Sequence, residues 1–96
     1  MIVLENWRFR MEMNPGSKAD CWRIEGEAWG HPEFPNGHTI MPSAPVNMKE
    51  TEQGVEVEGF SGRQYLLSTI HPEANREQMI AELRAVVQRG GRWEYK

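Results

Sequence analysis

Ninety-six residues, 39% hydrophobic and 26% charged, with four Trp, three Phe and two Tyr, make a single globular domain over residues 1–96 with one core and exclude a disordered chain. Eleven Lys and Arg against fourteen Asp and Glu leave a net charge of −3, so the overall field does not draw the chain to nucleic acid or an anionic membrane. One cysteine, Cys21, excludes an internal disulfide and fits a reducing compartment; without a basic, apolar leader or a window long enough to span a bilayer, the expectation is a cytoplasmic protein, monomer or homodimer.

From Trp7 to Met13 the residues alternate, with Trp7, Phe9, Met11 and Met13 on one face and Arg8, Arg10 and Glu12 on the other, the period of a half-buried strand. Asn14-Pro15-Gly16-Ser17 is turn material, and Asn14 to Asp20 is too short to separate domains. Cys21 to Trp29 resumes a strand in which Trp22, Ile24, Gly26 and Ala28 oppose Arg23, Glu25, Glu27 and Trp29; the two strands are expected to pair antiparallel, with a bulge or bend at Gly26. Trp29 to Pro42 then carries three prolines, each fixing φ and lacking a donor, so no helix or central strand runs through it. It reads as a shaped loop with a turn at Asn36-Gly37, pinned to the core by Phe34 and Ile40. If the loop is scaffold, both of those side chains are buried and Gly37 has positive φ. If it is a binding loop, Phe34 or Trp29 is exposed. The strand phase favours burial of Ile40 and partial exposure of Trp29.

His38 to Met41 and Val46 to Lys49 are short extended pieces, and Pro45 places the second at an edge or corner. Val55 to Gly59 and Arg63 to Ser68 follow, joined by Gly turns. At Ile70 the period changes: Met79, Ile80, Leu83, Val86 and Val87 form one helical stripe, with Glu77, Glu82, Arg84 and Gln88 facing solvent. Pro72 suits a first helical turn, a second start lies at Asn75 with Gln78 as capping box, and Gly90-Gly91 is a stop. Arg92 to Lys96 adds a final strand. The fold class is therefore α+β: a strongly curved antiparallel sheet or small SH3-like barrel of five to six short strands, covered by one amphipathic helix over residues 72–89 in the C-terminal half.

No cofactor or metal signature is present. His31, His38, His71 and Cys21 lack the paired close spacings of a zinc site; His31 and His71 each precede a proline and read as turn or cap residues. Cys21, in a strand between Asp20 and Trp22, lacks the cationic surroundings that make a thiolate. Ser43, Ser61 and Ser68 sit in no nucleophile motif, so the chain is expected not to be an enzyme. Trp7, Phe9, Trp22, Trp29, Phe60 and Tyr65 would suit base stacking, but Glu25, Glu27, Glu56 and Glu58 line the same strands, where a single-strand binder carries Lys and Arg. Arg8, Arg10 and Arg23 are expected to pair with these carboxylates, Glu25, Glu27, Glu56 and Glu58, across the sheet.

The stretches W-G-H-P-E-F-P-N-G-H-T-I (Trp29 to Ile40) and F-S-G-R-Q-Y-L-L (Phe60 to Leu67) together resemble a family of small uncharacterised bacterial and phage proteins. The pattern is G-H-P-x-F-x-x-G-x-x-I, then Thr-Ser, a variable strand and S-G-x-x-Y-x-L. The likeness covers roughly residues 22–67 and departs at Met41-Pro42-Ser43, where Pro42 stands for the expected Thr. It implies a compact β unit, often encoded by phages and mobile elements, and brings no catalytic residue. The function expected is a non-enzymatic protein-binding module, in concrete form an anti-CRISPR-like inhibitor of a host defence or nucleic-acid-handling complex. Trp29, His31, Phe34, Glu25, Glu27, Glu56 and Glu58 would form the binding surface, their carboxylates mimicking phosphate charge. The alternative is a small nucleic-acid-binding or regulatory protein using Arg84, Arg89, Arg92 and Lys96.

Overall fold

In the computed structural model, which describes residues 1–12 and 21–95, the alternation expected from Trp7 onward is the second half of a longer strand. The turn at Asn14 to Ser17, the rest of 13–20 and Lys96 lie outside the described residues. Strand β1 (Ile2–Glu12) buries Ile2 and Leu4 as well as Trp7 and Phe9. Leu4 and Trp7 are an odd step apart, which in a regular strand would put them on opposite faces. Asn6 resolves the conflict. It adopts φ +51°, and the register against β2 (Cys21–Trp29) slips between Glu5 and Arg8, so that Asn6 and Trp7 together oppose Gly26. This is a β-bulge with its extra residue in the left-handed region, which asparagine tolerates better than most side chains. A Cβ on Gly26 would lie 3.2 Å from the Trp7 Cβ and 3.3 Å from that of Leu4, so the expected irregularity is present with its extra residue on the partner strand.

Strands β3 (His38–Ile40), β4 (Pro45–Thr51), β5 (Gly54–Gly59) and β6 (Gln64–Leu67) complete the order β3-β2-β1-β6-β5-β4, and β7 (Glu94–Tyr95) adds to β2. The α+β class with short strands and one helix in the C-terminal half is observed, with two differences in detail. The sheet is mixed, because β6 runs parallel to β1 (Ile2↔Tyr65, Val3↔Leu66, Leu4↔Leu67), and it remains open, with β3 and β4 at the ends of the path. The chain after β6 continues along β1 past the bulge: Ser68 N–H donates to Leu4 O, Trp7 N–H to Thr69 O and His71 N–H to Trp7 O.

Curvature follows from chain length. β3 ends at Ile40 and β4 begins at Pro45, a span of at most about 18 Å, whereas opposite edges of a flat six-stranded sheet stand about 24 Å apart. The edges are therefore drawn together. Residues 41–44 cross the gap with Pro42 and Ala44 buried, and Arg23 Nη2 donates to the Met41 and Pro42 carbonyls at 3.2 Å each. As expected, Pro45 opens an edge strand.

Helix α1 (Arg76–Gln88) fills the concave side with Met79, Ile80, Leu83 and Val86, packed among Leu4, Trp7, Ile24, Val55 and Leu67; Val87 is half-buried at the rim. Each fully buried side chain of this kind stabilises the fold by about 1.5–3 kcal/mol. The helix starts at the second of the two expected positions. Asn75 Oδ1 accepts from Gln78 N–H at 3.0 Å, while Pro72 belongs to a preceding turn held by Ala74 N–H to His71 O and by Glu73 N–H to His71 Nδ1. The stop is as expected: Gly90 N–H donates to Val87 O and Gly91 N–H to Val86 O, both glycines having positive φ, a Schellman closure. Trp93 follows, edge-on to Phe9 at 6.3 Å with the Arg23 guanidinium over its ring, and leads into β7.

Glu82, expected in solvent, is half-buried beneath this terminus, and its Oε2 is inaccessible with no hydrogen-bond partner among the described residues. Burial, reinforced by Glu94 and opposed by a hydrogen bond with Gln78, raises its carboxyl above the ordinary 4.5. Because folding raises this pKa, Glu82 favours the folded state below about pH 4.5, and that contribution is lost as the pH climbs through the raised value. Glu82→Gln is expected to raise the melting temperature by a few degrees at pH 7 and by less at pH 4, as thermal melts at the two pH values will show.

Candidate protein-binding face

The loop between β2 and β3 is ordered by its own bonds. Gly30 N–H donates to Asn36 Oδ1 at 3.0 Å, Gly37 N–H to Ala28 O at 2.8 Å and His38 N–H to Pro35 O at 3.1 Å, with Gly30 and Gly37 both at positive φ. Ile40 is buried as expected. Phe34 corrects the other half of that expectation: it is 38% exposed and does not reach the core. The bonds at Gly30 and Gly37 order the loop, and the Phe34 ring is stacked on His38 at 5.0 Å and tilted against His31 at 4.8 Å.

The two sequence motifs meet here. Arg63, from the turn before β6, reaches Glu33 Oε1 at 3.1 Å with Nη2 and stands 2.9 Å from His31 Nε2 with Nη1. His31 Nδ1 also faces the Glu33 N–H at 3.0 Å. Both neighbours are donors, and a neutral imidazole has one acceptor nitrogen, so the ring accepts from one of them at a time. The second motif also supplies Tyr65, buried at 4% exposure; burial raises its phenol pKa, against the opposing pull of the Arg63 guanidinium.

From this loop the convex face of the sheet extends away from the helix. Trp29 (41% exposed) stands opposite Val3, Val3 opposite Leu66, Leu66 opposite Glu56 and Glu56 opposite Lys49, one row across five strands. Its first three members form a partly exposed apolar stripe. Glu27 and Glu5 border it on one side, Met1, Gln64 and Glu58 on the other, and an open cleft of about 220 Å³ lies among Met1, Asn47, Lys49, Glu56, Glu58 and Gln64. The charges are sorted along the face. Arg10 pairs with Glu25 at 3.2 Å as expected, whereas Arg23 pairs with Glu12 at 3.0 Å and Arg8 with Glu73 at 3.7 Å in place of the expected glutamates, all beyond the bulge. Beside the stripe, Glu5, Glu27, Glu56 and Glu58 are in no ion pair among the described residues.

Of the expected binding residues, the structure thus brings Trp29, Glu27, Glu56 and Glu58 onto one face with His31 and Phe34 at its corner, while Glu25 is engaged by Arg10. Val3, Glu5 and Leu66 are additions. Among the aromatics weighed for base stacking, Trp7, Phe9 and Tyr65 are buried, whereas Trp22, Trp29 and Phe60 are exposed. Arg84 pairs with Glu50, and Arg89 and Arg92 donate through Nε to each other's carbonyl at 3.1 and 2.8 Å. Ser43 and Ser61 bond each other at 3.1 Å, and Cys21 is buried with Sγ 3.9 Å from Glu12 Oε2. Among the described residues no three His, Cys, Asp or Glu side chains are grouped to hold a metal ion, and no helix is long and apolar enough to cross a membrane. No protein-family model, curated protein or solved structure matches the chain significantly.

Proposed function

We propose that the chain is a non-enzymatic protein-binding module that works through its convex face. The observation that carries this reading is the partly exposed Trp29–Val3–Leu66 stripe bordered by four carboxylates that form no ion pair with a described residue. A solvated outer face of a sheet usually alternates charge with countercharge; here, apart from Lys49 opposite Glu56, the apolar surface is rimmed by carboxylates, the pattern of a hydrophobic contact with a steering border. The fitting partner is a protein with a basic, partly apolar surface. In its concrete form the module is an inhibitor of a host defence or nucleic-acid-handling complex, its carboxylates occupying the place of phosphates.

Trp29→Ala and Phe34→Ala are the informative pair. Both side chains are more than a third exposed, so each change is expected to cost no more than about 1 kcal/mol of stability, chiefly lost ring contacts. Affinity for a captured partner should fall at least about tenfold in Trp29→Ala, as for a central aromatic contact. Melting temperature and affinity measured on the same samples check this. Variants that unfold, or that bind as well as the parent, count against the reading.

A further inference from the structure

Glu5 and Glu27 stand directly opposite one another on β1 and β2. Like charges in that position are unfavourable in a sheet. No described residue forms an ion pair with either, and the polar contact at this pair is the Asn6 side-chain amide, 3.4 Å from Glu27 Oε2. Two residues along the same strands is the apolar pair Trp29 and Val3, so the positions that carry the indole and the two carboxylates are neighbours on one face, roughly 7 Å apart along the strand. Behind Glu27 the bulge opens a cleft of about 170 Å³, walled by Asn6, Arg8, Glu25, Thr39 and His71. Its one permanent cation, Arg8, has its carboxylate partner in Glu73.

Resting on the protein-binding reading above, we propose that this patch is an arginine-recognition subsite. A guanidinium carried by the partner lies between Glu5 and Glu27 and bonds to both, with its flat face on Trp29 and its aliphatic stem along Val3. Arginine fits better than lysine. Its planar fork meets two carboxylates at once, it stacks on an indole, and it gives up its hydration more readily than an ammonium does. The like-charge pair then has a purpose, since it is relieved only when the cation arrives.

The test uses blocked peptides, acetyl-Gly-Arg-Val-Gly-amide and its Lys and Glu counterparts, titrated into the whole chain at low salt with tryptophan fluorescence and calorimetry as readouts. The arginine peptide is expected to bind at least about threefold more tightly than the lysine peptide, with no binding of the glutamate peptide. Its affinity should fall about tenfold or more in Glu5→Gln/Glu27→Gln, which removes the charge from both contacts. That variant should melt no lower than the parent, because the opposed charges are gone. Absence of an arginine preference, or an unchanged affinity in the double-glutamine variant, overturns the subsite. If partner capture is then still lost in Trp29→Ala, the protein-binding reading survives the failure. If Trp29→Ala captures as well as the parent, both fall.

Discussion

Trp7→Ala is expected to lower the stability of the chain by about 3–5 kcal/mol, the range for truncating a fully buried aromatic. Trp7 has no exposed surface, its indole N–H donates to Ser68 O at 3.2 Å, and it lies in the cluster that holds the helix to the sheet. Domains of this size rarely hold more than about 5–15 kcal/mol, so the variant will be marginal or unfolded at 37 °C. Trp22→Ala is the matched control. Trp22 is 38% exposed at the sheet's rim, and its loss should cost well under half as much, as urea titrations followed by circular dichroism will show.

Gly54→Ala is expected to be nearly as damaging for a different reason. Gly54 opens β5 at φ +143°, and a Cβ there would run into the Leu67 carbonyl oxygen, with the Leu67 carbon at 3.0 Å and the Ser68 Cα at 3.1 Å. These are backbone atoms of the neighbouring strand, and they cannot retreat without opening the Val55↔Leu67 pair. Backbone strain of about 1–3 kcal/mol and overpacking of about 1–3 kcal/mol combine to a loss near 4 kcal/mol. Gly62→Ala separates the two causes. Gly62 also has positive φ, +89°, but nothing lies within 4 Å of its added Cβ, so only strain remains and the loss should stay near 1–2 kcal/mol. Equal losses at the two positions would refute the steric part.

The helix was legible because Met79, Ile80, Leu83 and Val86 repeat with the helical period and Asn75 with Gln78 marks the start. Val55, Val57, Ile24 and Ala28 were legible by simple alternation. The first half of β1 was not, because the bulge at Asn6 breaks the alternation: Ile2 and Leu4 share a face with Trp7 and Phe9 only when one residue is left unpaired. Val3 and Glu5, two members of the candidate face, were hidden with it; Gly26, whose lack of a side chain lets β1 bulge towards it, was the available signal. The parallel pairing of β1 with β6 joins residues far apart in the chain, and nothing local in Tyr65, Leu66 or Leu67 specifies strand direction. Leu66 therefore read as an ordinary strand residue and not as the neighbour of Val3. The reading of Phe34 as a core pin fails, because a large apolar side chain in a loop is usually an anchor, whereas this one stacks on two imidazoles and keeps the exposure expected of a binding loop.

Amide chemical-shift mapping during titration with acetyl-Gly-Arg-Val-Gly-amide tests most directly whether the convex face is the working surface. Shifts confined to Val3, Glu5, Glu27, Leu66 and the Trp29 indole N–H, with the exposed side of α1 at Ala81 and Arg84 unchanged, are the predicted result. Shifts centred on α1 or on Arg89 and Arg92, with the Trp29 indole unmoved, would contradict it.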